Sequence, residues 1–400
     1  MKKMKMEDGI STLPDALLCH ILSFLTTKEA VATSVLSKRW IPLWRSVPTL
    51  HFKDANYHTD IGHADHDIVK DVCSRIVQSV YAVILSRDFQ LPIKKFYLRL
   101  NDVCQPFYDP ANVSVWVNAV VQRQLEHLDI SLPYPMLSTP RANLSSIFSC
   151  RTLVVLKLRG GLELKRFPSV HFPCLKVLHL QGALLLHDVP YLAELLSGCP
   201  VLENLKQSLI FYQEYVPLTN REFNTLPKLV RADISETIFR MNMFNNVHFL
   251  RIDEICEGLL RGGECMFYNL THIELVYANY NYDWFEVVKF LKYCPKLQVL
   301  VINQPDFYDY DLDQLHISDW QDPPSVPKCI LLHLKVCYLN DYRGTKGELQ
   351  FARYIMRHGR FLKRMTISSS TAENQRGKLK NVKKLFSCTR RSATCKFSFK

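Results

Sequence analysis

No stretch of eighteen uncharged apolar residues occurs in the 400-residue chain, which by length alone excludes a helical membrane span. No Cys-x-x-Cys pair occurs either, although there are 13 cysteines, an odd number. Scattered thiols without that spacing argue against a zinc site or a redox pair and fit reduced cysteines in a cytosolic or nuclear setting. Gly-x-Ser-x-Gly, His-Glu-x-x-His and a Walker loop are also absent; Gly344-Thr345-Lys346 has the wrong order and no upstream glycine. The opening MKKMKMEDG is basic but has no apolar run behind it, so it does not read as a secretory signal. Without secretion, the sequons at Asn112, Asn143 and Asn269 are chance matches.

Two groups of ligand-type residues stand out, and neither completes a site. Asp54, His58, Asp60, His63, Asp65, His66 and Asp67 crowd one short segment. His66-Asp67 is a pairing that metal-dependent phosphohydrolases use, but no second His/Asp cluster exists to finish the coordination, and a polar linker accounts for the run. Asp309, Asp311 and Asp313 imitate the start of a calcium loop, but Gln314 takes the required glycine position and Trp320 the required glutamate. The chain therefore reads as non-catalytic, with no cofactor and no metal.

The net charge of +12 is a property of the ends. Residues 2–5 supply three lysines and residues 376–400 nine Lys or Arg without an acid, which leaves 38 basic and 38 acidic residues between. A nucleic-acid reader places its positive charge along one face or groove. A neutral body with basic ends reads instead as a solvated charged surface, so nucleic acid is not an expected partner.

What is present begins at residue 8. Leu13, Leu17, Leu18, Ile21, Leu22 and Leu25 form an apolar stripe at helical spacing, opened by Pro14 where a first turn tolerates a missing N–H. Thr26 followed by Glu29 is a capping box for a second helix carrying Val31, Ala32 and Val35. Ser37 is an N-cap for a third helix with Trp40, Leu43 and Trp44, Pro42 lying in its opening turns. About forty residues cannot bury all these large groups alone, so a protein interface is expected. Leu13-Pro14-Asp15, Ile21-Leu22-Ser23-Phe24-Leu25, Val35-Leu36-Ser37-Lys38-Arg39-Trp40 and Leu43-Trp44 together resemble the F-box. Gly9 and Thr27 depart from its usual basic residue and proline, but neither lies on the stripes. The resemblance implies docking of Leu13, Pro14, Leu17, Leu18, Ile21, Leu22, Leu25, Val35, Leu36, Trp40, Leu43 and Trp44 onto a Skp-type adaptor, and through it onto a cullin scaffold.

The rest of the chain repeats. The frame apolar-x-x-apolar-x-apolar recurs from Ile93-Phe96-Leu98 through Leu125-Leu128-Ile130, Leu153-Leu156-Leu158 and Leu175-Leu178-Leu180 to Leu362-Met365-Ile367. It weakens at Leu202-Leu205, where Gln207 replaces the third apolar residue, and at Leu229-Ala232-Ile234. Frame and spacing are those of leucine-rich repeats, each a short strand plus a helical return, stacked over a continuous core. Val189, Leu192, Ala193 and Leu196, and likewise Trp284, Val287, Val288 and Leu291, predict two such returns. Both end in Cys-Pro, at Cys199 and Cys294, and Cys150 has the same offset; these predict small buried apolar residues.

Strand alternation points the fifth position of each frame away from the core. That row runs Asp129, Lys157, His179, Lys206, Asp233, Arg251, Glu274, Val301, Tyr338 and Thr366, with Tyr97 and Arg99 beginning it. Mixed signs and aromatic rings suit a protein or peptide target. Trp320, Pro323-Pro324, Val326-Pro327, Tyr342-Arg343-Gly344, Phe351-Ala352-Arg353-Tyr354-Ile355 and Arg391 to Phe397 resemble the FBD domain, which closes many plant F-box proteins.

The expected organisation is a basic tail over 1–7, an F-box over 8–52, a linker and helix over 53–90, repeats over 91–315 and an FBD domain over 316–400. The fold class is α/β, with a curved parallel sheet that the FBD region extends and caps. The resemblance implies a substrate receptor of an SCF-type ubiquitin ligase, in the nucleus and/or cytoplasm. A small-molecule-sensing co-receptor and an adaptor-binding protein outside any active ligase are the alternatives.

Overall fold

A computed structural model describes residues 9–10, 12–53, 66–100, 108–134, 141–165, 169–182, 185–186, 189–209, 226–235, 241–255, 265–277, 284–303, 320, 322–369 and 375–400. The aspartates at 309, 311 and 313 and the His/Asp run from Asp54 to Asp65 lie outside them, while His66 and Asp67 open a helix. Two compact units result: Met1–Pro200 with Leu209–Glu214, and Val201–Ser208 with Tyr215–Lys400.

The first unit starts with three short helices, α1 (Asp15–Leu22), α2 (Thr27–Ala32) and α3 (Trp40–Ser46). Thr26 and Glu29 form the expected capping box, Glu29 Oε2 accepting the Thr26 N–H at 2.8 Å. Ser37 does not cap α3: that helix opens three residues later without a side-chain cap, and only the Ser37 carbonyl is used, accepting the Trp40 N–H at 3.0 Å. There follow β1 (Thr49–Lys53), α4 (His66–Leu85), β2 (Lys95–Arg99), α5 (Pro110–Val121) and β3 (His127–Ser131). Then come β4 (Ala142–Asn143), β5 (Val155–Arg159), β6 (Leu162–Leu164), β7 (Val177–Gly182), β8 (Leu185–Leu186) and α6 (Val189–Ser197). β1, β2, β3, β5 and β7 form a parallel sheet in that order, and β4, β6 and β8 a second, small one.

The repeat frame is the reason for this order. Leu98, Ile130, Leu158 and Leu180 lie opposite one another across four strands, and all are fully buried. α5 packs against β4 and α4, its N-cap Asp109 accepting the Ala111 N–H at 2.8 Å and its Trp116 meeting Tyr81 of α4 edge-on at 5.6 Å.

The second unit holds β9 (Asn204–Leu209), β10 (Arg231–Ser235), β11 (Phe249–Ile255), β12 (His272–Tyr277), α7 (Trp284–Leu291) and β13 (Val299–Asn303). It continues with α8 (Lys328–Leu332), β14 (Val336–Tyr342), α9 (Lys346–His358), β15 (Arg364–Ser369), α10 (Gln375–Phe386) and β16 (Lys396–Phe399). The eight strands form a parallel sheet in chain order. The C-terminal region therefore extends the sheet by three strands. Glu348 fixes its turn: buried in the first turn of α9, it accepts the N–H groups of Thr345 at 2.7 Å and Arg343 at 3.2 Å.

α6 and α7 fall where periodicity places them. Other returns are not α-helical: Ser145–Ser149 and Met241–Phe244 are 3₁₀ turns. Cys150, Cys199 and Cys294 are buried at the ends of returns, the Cys199 thiol donating to the Leu195 carbonyl at 3.1 Å. Burial pushes that thiol up to about 12, so it stays an uncharged packing group.

Candidate interaction faces

The N-terminal stripe divides into two. Leu18 and Leu22 point into the module with Trp40, Leu43 and Trp44, and all five are buried. Leu17, Ile21 and Phe24, at i, i+4 and i+7 one step out of phase, face solvent with exposures of 49%, 46% and 76%. Val35 and Leu36, at 86% and 64%, add to them from the turn after α2. Pro14 is exposed, and Leu13 and Leu25 are half-buried. An apolar face of this kind on so small a module is an interaction surface in its simplest physical reading.

The sheets carry two further faces. In the first unit the register aligns three rows of outward positions across β1, β2, β3, β5 and β7. They read Thr49, Lys95, His127, Val155, Val177; then His51, Tyr97, Asp129, Lys157, His179; then Lys53, Arg99, Ser131, Arg159, Gln181. Asp129 is buried under this face, with the Arg99 guanidinium 3.8 Å away. Burial lowers the pKa of His51, as do the charges of Arg99 and Lys53; burial followed by Lys95 and Lys157 does the same to His127.

In the second unit the equivalent row alternates in sign: Lys206, Asp233, Arg251, Glu274, then uncharged Val301, Tyr338 and Thr366. The charges consume one another. Lys206 Nζ lies 2.6 Å from Asp233, and Arg251 reaches Asp253 at 2.9 Å, Glu274 at 3.5 Å and Asp233 at 3.6 Å. His272 Nε2 is 3.1 Å from Glu274 Oε1. Arg231 stacks on Phe249 at 3.5 Å. With its cations spoken for in this way, the ladder has little to offer a small anionic ligand.

Comparison with known proteins finds three family matches along the chain. The F-box domain family matches residues 10–52, the family described as "FBD-associated F-box protein At5g56370, LRR repeats" matches 113–225, and FBD matches 321–367. FBD-associated F-box protein At4g10400 of Arabidopsis thaliana is 30% identical over 98% of this chain and 100% of its own length. The chain belongs to the FBD-associated F-box family. F-box/FBD/LRR-repeat protein At4g00160, also of Arabidopsis thaliana, is 27% identical over 98% of this chain and 94% of its own.

Within the F-box, the sequence-based residue set thus holds two kinds of position. Leu18, Leu22, Trp40, Leu43 and Trp44 are buried, whereas Pro14, Leu17, Ile21, Val35 and Leu36 are exposed. Phe24, Ile10 and Ile41 are exposed with them and were not in that set. Phe24 was findable, since it continues the Leu17–Ile21 phase by one turn. On the sheets, Tyr97, Arg99, Asp129, Lys157 and His179 share one face, and Lys206, Asp233, Arg251, Glu274 and Tyr338 share the other unit's.

Proposed function

We propose that this chain is the substrate-recognition subunit of an SCF-type ubiquitin ligase. The F-box binds a Skp-type adaptor, the adaptor joins a cullin scaffold, and the repeat sheets hold a target for ubiquitination and degradation, in the nucleus and/or cytoplasm. The observation that carries this reading is the exposed face of Leu17, Ile21, Phe24, Val35 and Leu36 on a module whose inner stripe is already filled. The subunit itself does no chemistry: it raises the effective concentration of target lysines beside the ubiquitin-loaded conjugating enzyme.

The test is a capture from plant extract with the wild type and a Leu17→Ala/Ile21→Ala/Val35→Ala variant, read by mass spectrometry. Each such side chain contributes about 2 kcal/mol when central to an interface, so losing three removes a micromolar complex from detection. The expected result is adaptor and cullin with the wild type only, and target proteins with both. A wild type that captures no adaptor while remaining folded ends the receptor reading.

A further inference from the structure

We infer that the five-stranded sheet face of the first unit binds an extended, acidic segment of a target protein. This rests on the receptor reading above and adds the chemistry of the target. Lys53, Lys95, Arg99, Lys157 and Arg159 share the three rows of this face with one carboxylate, Asp129; from beside the strands, Glu29 acts on Lys53 and His51, and Glu126 on His127. Among the described residues, Lys53, Lys95, Lys157 and Arg159 have no carboxylate within ion-pair distance, and the one pair, Arg99 to Asp129, is 3.8 Å long. In the second unit the central cations Lys206 and Arg251 are instead each held by carboxylates, while Arg364 and Lys396 on its last two strands are exposed. A set of like charges raised on parallel strands repel one another, and an acidic partner relieves that repulsion as it binds.

The spacing fits an extended peptide. Lys53, Arg99 and Arg159 lie in one row on β1, β2 and β5, so they span three strand steps, roughly 14 Å. Carboxylates on alternate residues of an extended chain recur every roughly 7 Å, so acidic residues at i, i+2 and i+4 cover the row. A nucleic-acid backbone has the right sign but carries a phosphate at every unit, and it would set one against Asp129. A protein segment can place a hydroxyl or amide there instead, where Ser131 and Gln181 also offer hydrogen bonds.

The experiment uses the purified full-length chain and a fluorescein-labelled (Asp-Thr)6 peptide, followed by anisotropy at low salt. Lys157→Glu/Arg159→Glu is compared with Arg364→Glu/Lys396→Glu, which makes the same charge change on the second unit's sheet. If the β5 variant melts early, Lys53→Glu/Lys95→Glu replaces it. The expected result is roughly tenfold or greater weakening by the first-unit variant and little change with the other, two exposed attractions having turned to repulsions. Equal weakening by both variants, or no wild-type binding, overturns the inference; so does tighter binding of single-stranded dT12 than of the peptide. Adaptor capture on the same samples separates the two readings. Capture without peptide binding removes only the acidic-target inference, whereas a folded wild type without capture removes the receptor reading.

Discussion

Arg39 reaches back 24 residues to Asp15, its Nε and Nη2 donating to Oδ1 at 2.9 and 2.6 Å while Nη2 also meets the Leu13 carbonyl at 2.5 Å. The clamp ties the start of α1 to the approach to α3. Leu17 and Ile21 stand on the helix tied in this way, and Val35 and Leu36 in the turn shortly before Arg39. Both partners are largely exposed, so Arg39→Ala should cost less than about 1 kcal/mol of stability. Affinity for a purified Skp-type adaptor should fall several-fold, because the two halves of the apolar face lose their relative setting. Thermal melting beside a binding titration checks this; a large melting shift with unchanged affinity would assign the clamp to folding alone.

Leu17 and Leu18 are neighbours with opposite roles, one 49% exposed and one fully buried. Leu18→Ala should destabilise by about 2–5 kcal/mol, as removal of core methyl groups does. Ile21→Ala, on the exposed face, should change stability by no more than about 0.5 kcal/mol and act on adaptor binding instead. Denaturant titrations of the two variants beside adaptor capture distinguish the roles, and a similar stability loss in both would contradict the division of the stripe.

The repeat frame was legible because its period and its burial are the same fact: apart from Gln207, which is buried all the same, the strand positions of the frame from Phe96 to Ile367 are apolar and buried. The same frame runs one unit earlier than the expected repeat boundary, as Val47-Leu50-Phe52, and β1 pairs with β2 there. It was hidden because those residues also close the F-box block. β16 was hidden for another reason: Cys395, Phe397 and Phe399 alternate, but no apolar residue stands three before Phe397 to open a frame. Charge was the least legible property. A body with 38 basic and 38 acidic residues is neutral in sum, yet strand register sorts it into a cationic face in one unit and a compensated ladder in the other. Summation along a chain discards that information, and only register restores it.

Gly160 follows β5 with φ of +83°, and a Cβ there would lie 1.9 Å from the Leu132 carbonyl oxygen. No side chain fits beside that backbone oxygen, and the left-handed conformation adds strain for any residue with a Cβ. Gly160→Ala should therefore destabilise the first unit by about 1–3 kcal/mol or more, pulling apart the turn that joins β5 to β6. Limited proteolysis and melting would show it. An unchanged melting temperature would mean the turn can be rebuilt at no cost.

Glu274 links Arg251 at 3.5 Å to His272 at 3.1 Å. The hydrogen bond from the His272 ring, opposed by burial and aided by the charges of His272, Arg251 and Arg231, holds its carboxyl below the usual carboxylate range. The unfolded chain takes up this proton near pH 4.3, and the folded chain only at lower pH. The stabilisation is therefore complete above the unfolded value and fades as pH falls through the folded one. Glu274→Gln should cost less than about 1.5 kcal/mol at pH 7, since solvent reaches the ladder. The gap between wild type and variant should then narrow as the pH is taken below about 4. Denaturant melts of both proteins at a series of pH values measure that gap directly, and a gap unchanged at pH 3 would mean that Glu274 acts by packing rather than by charge.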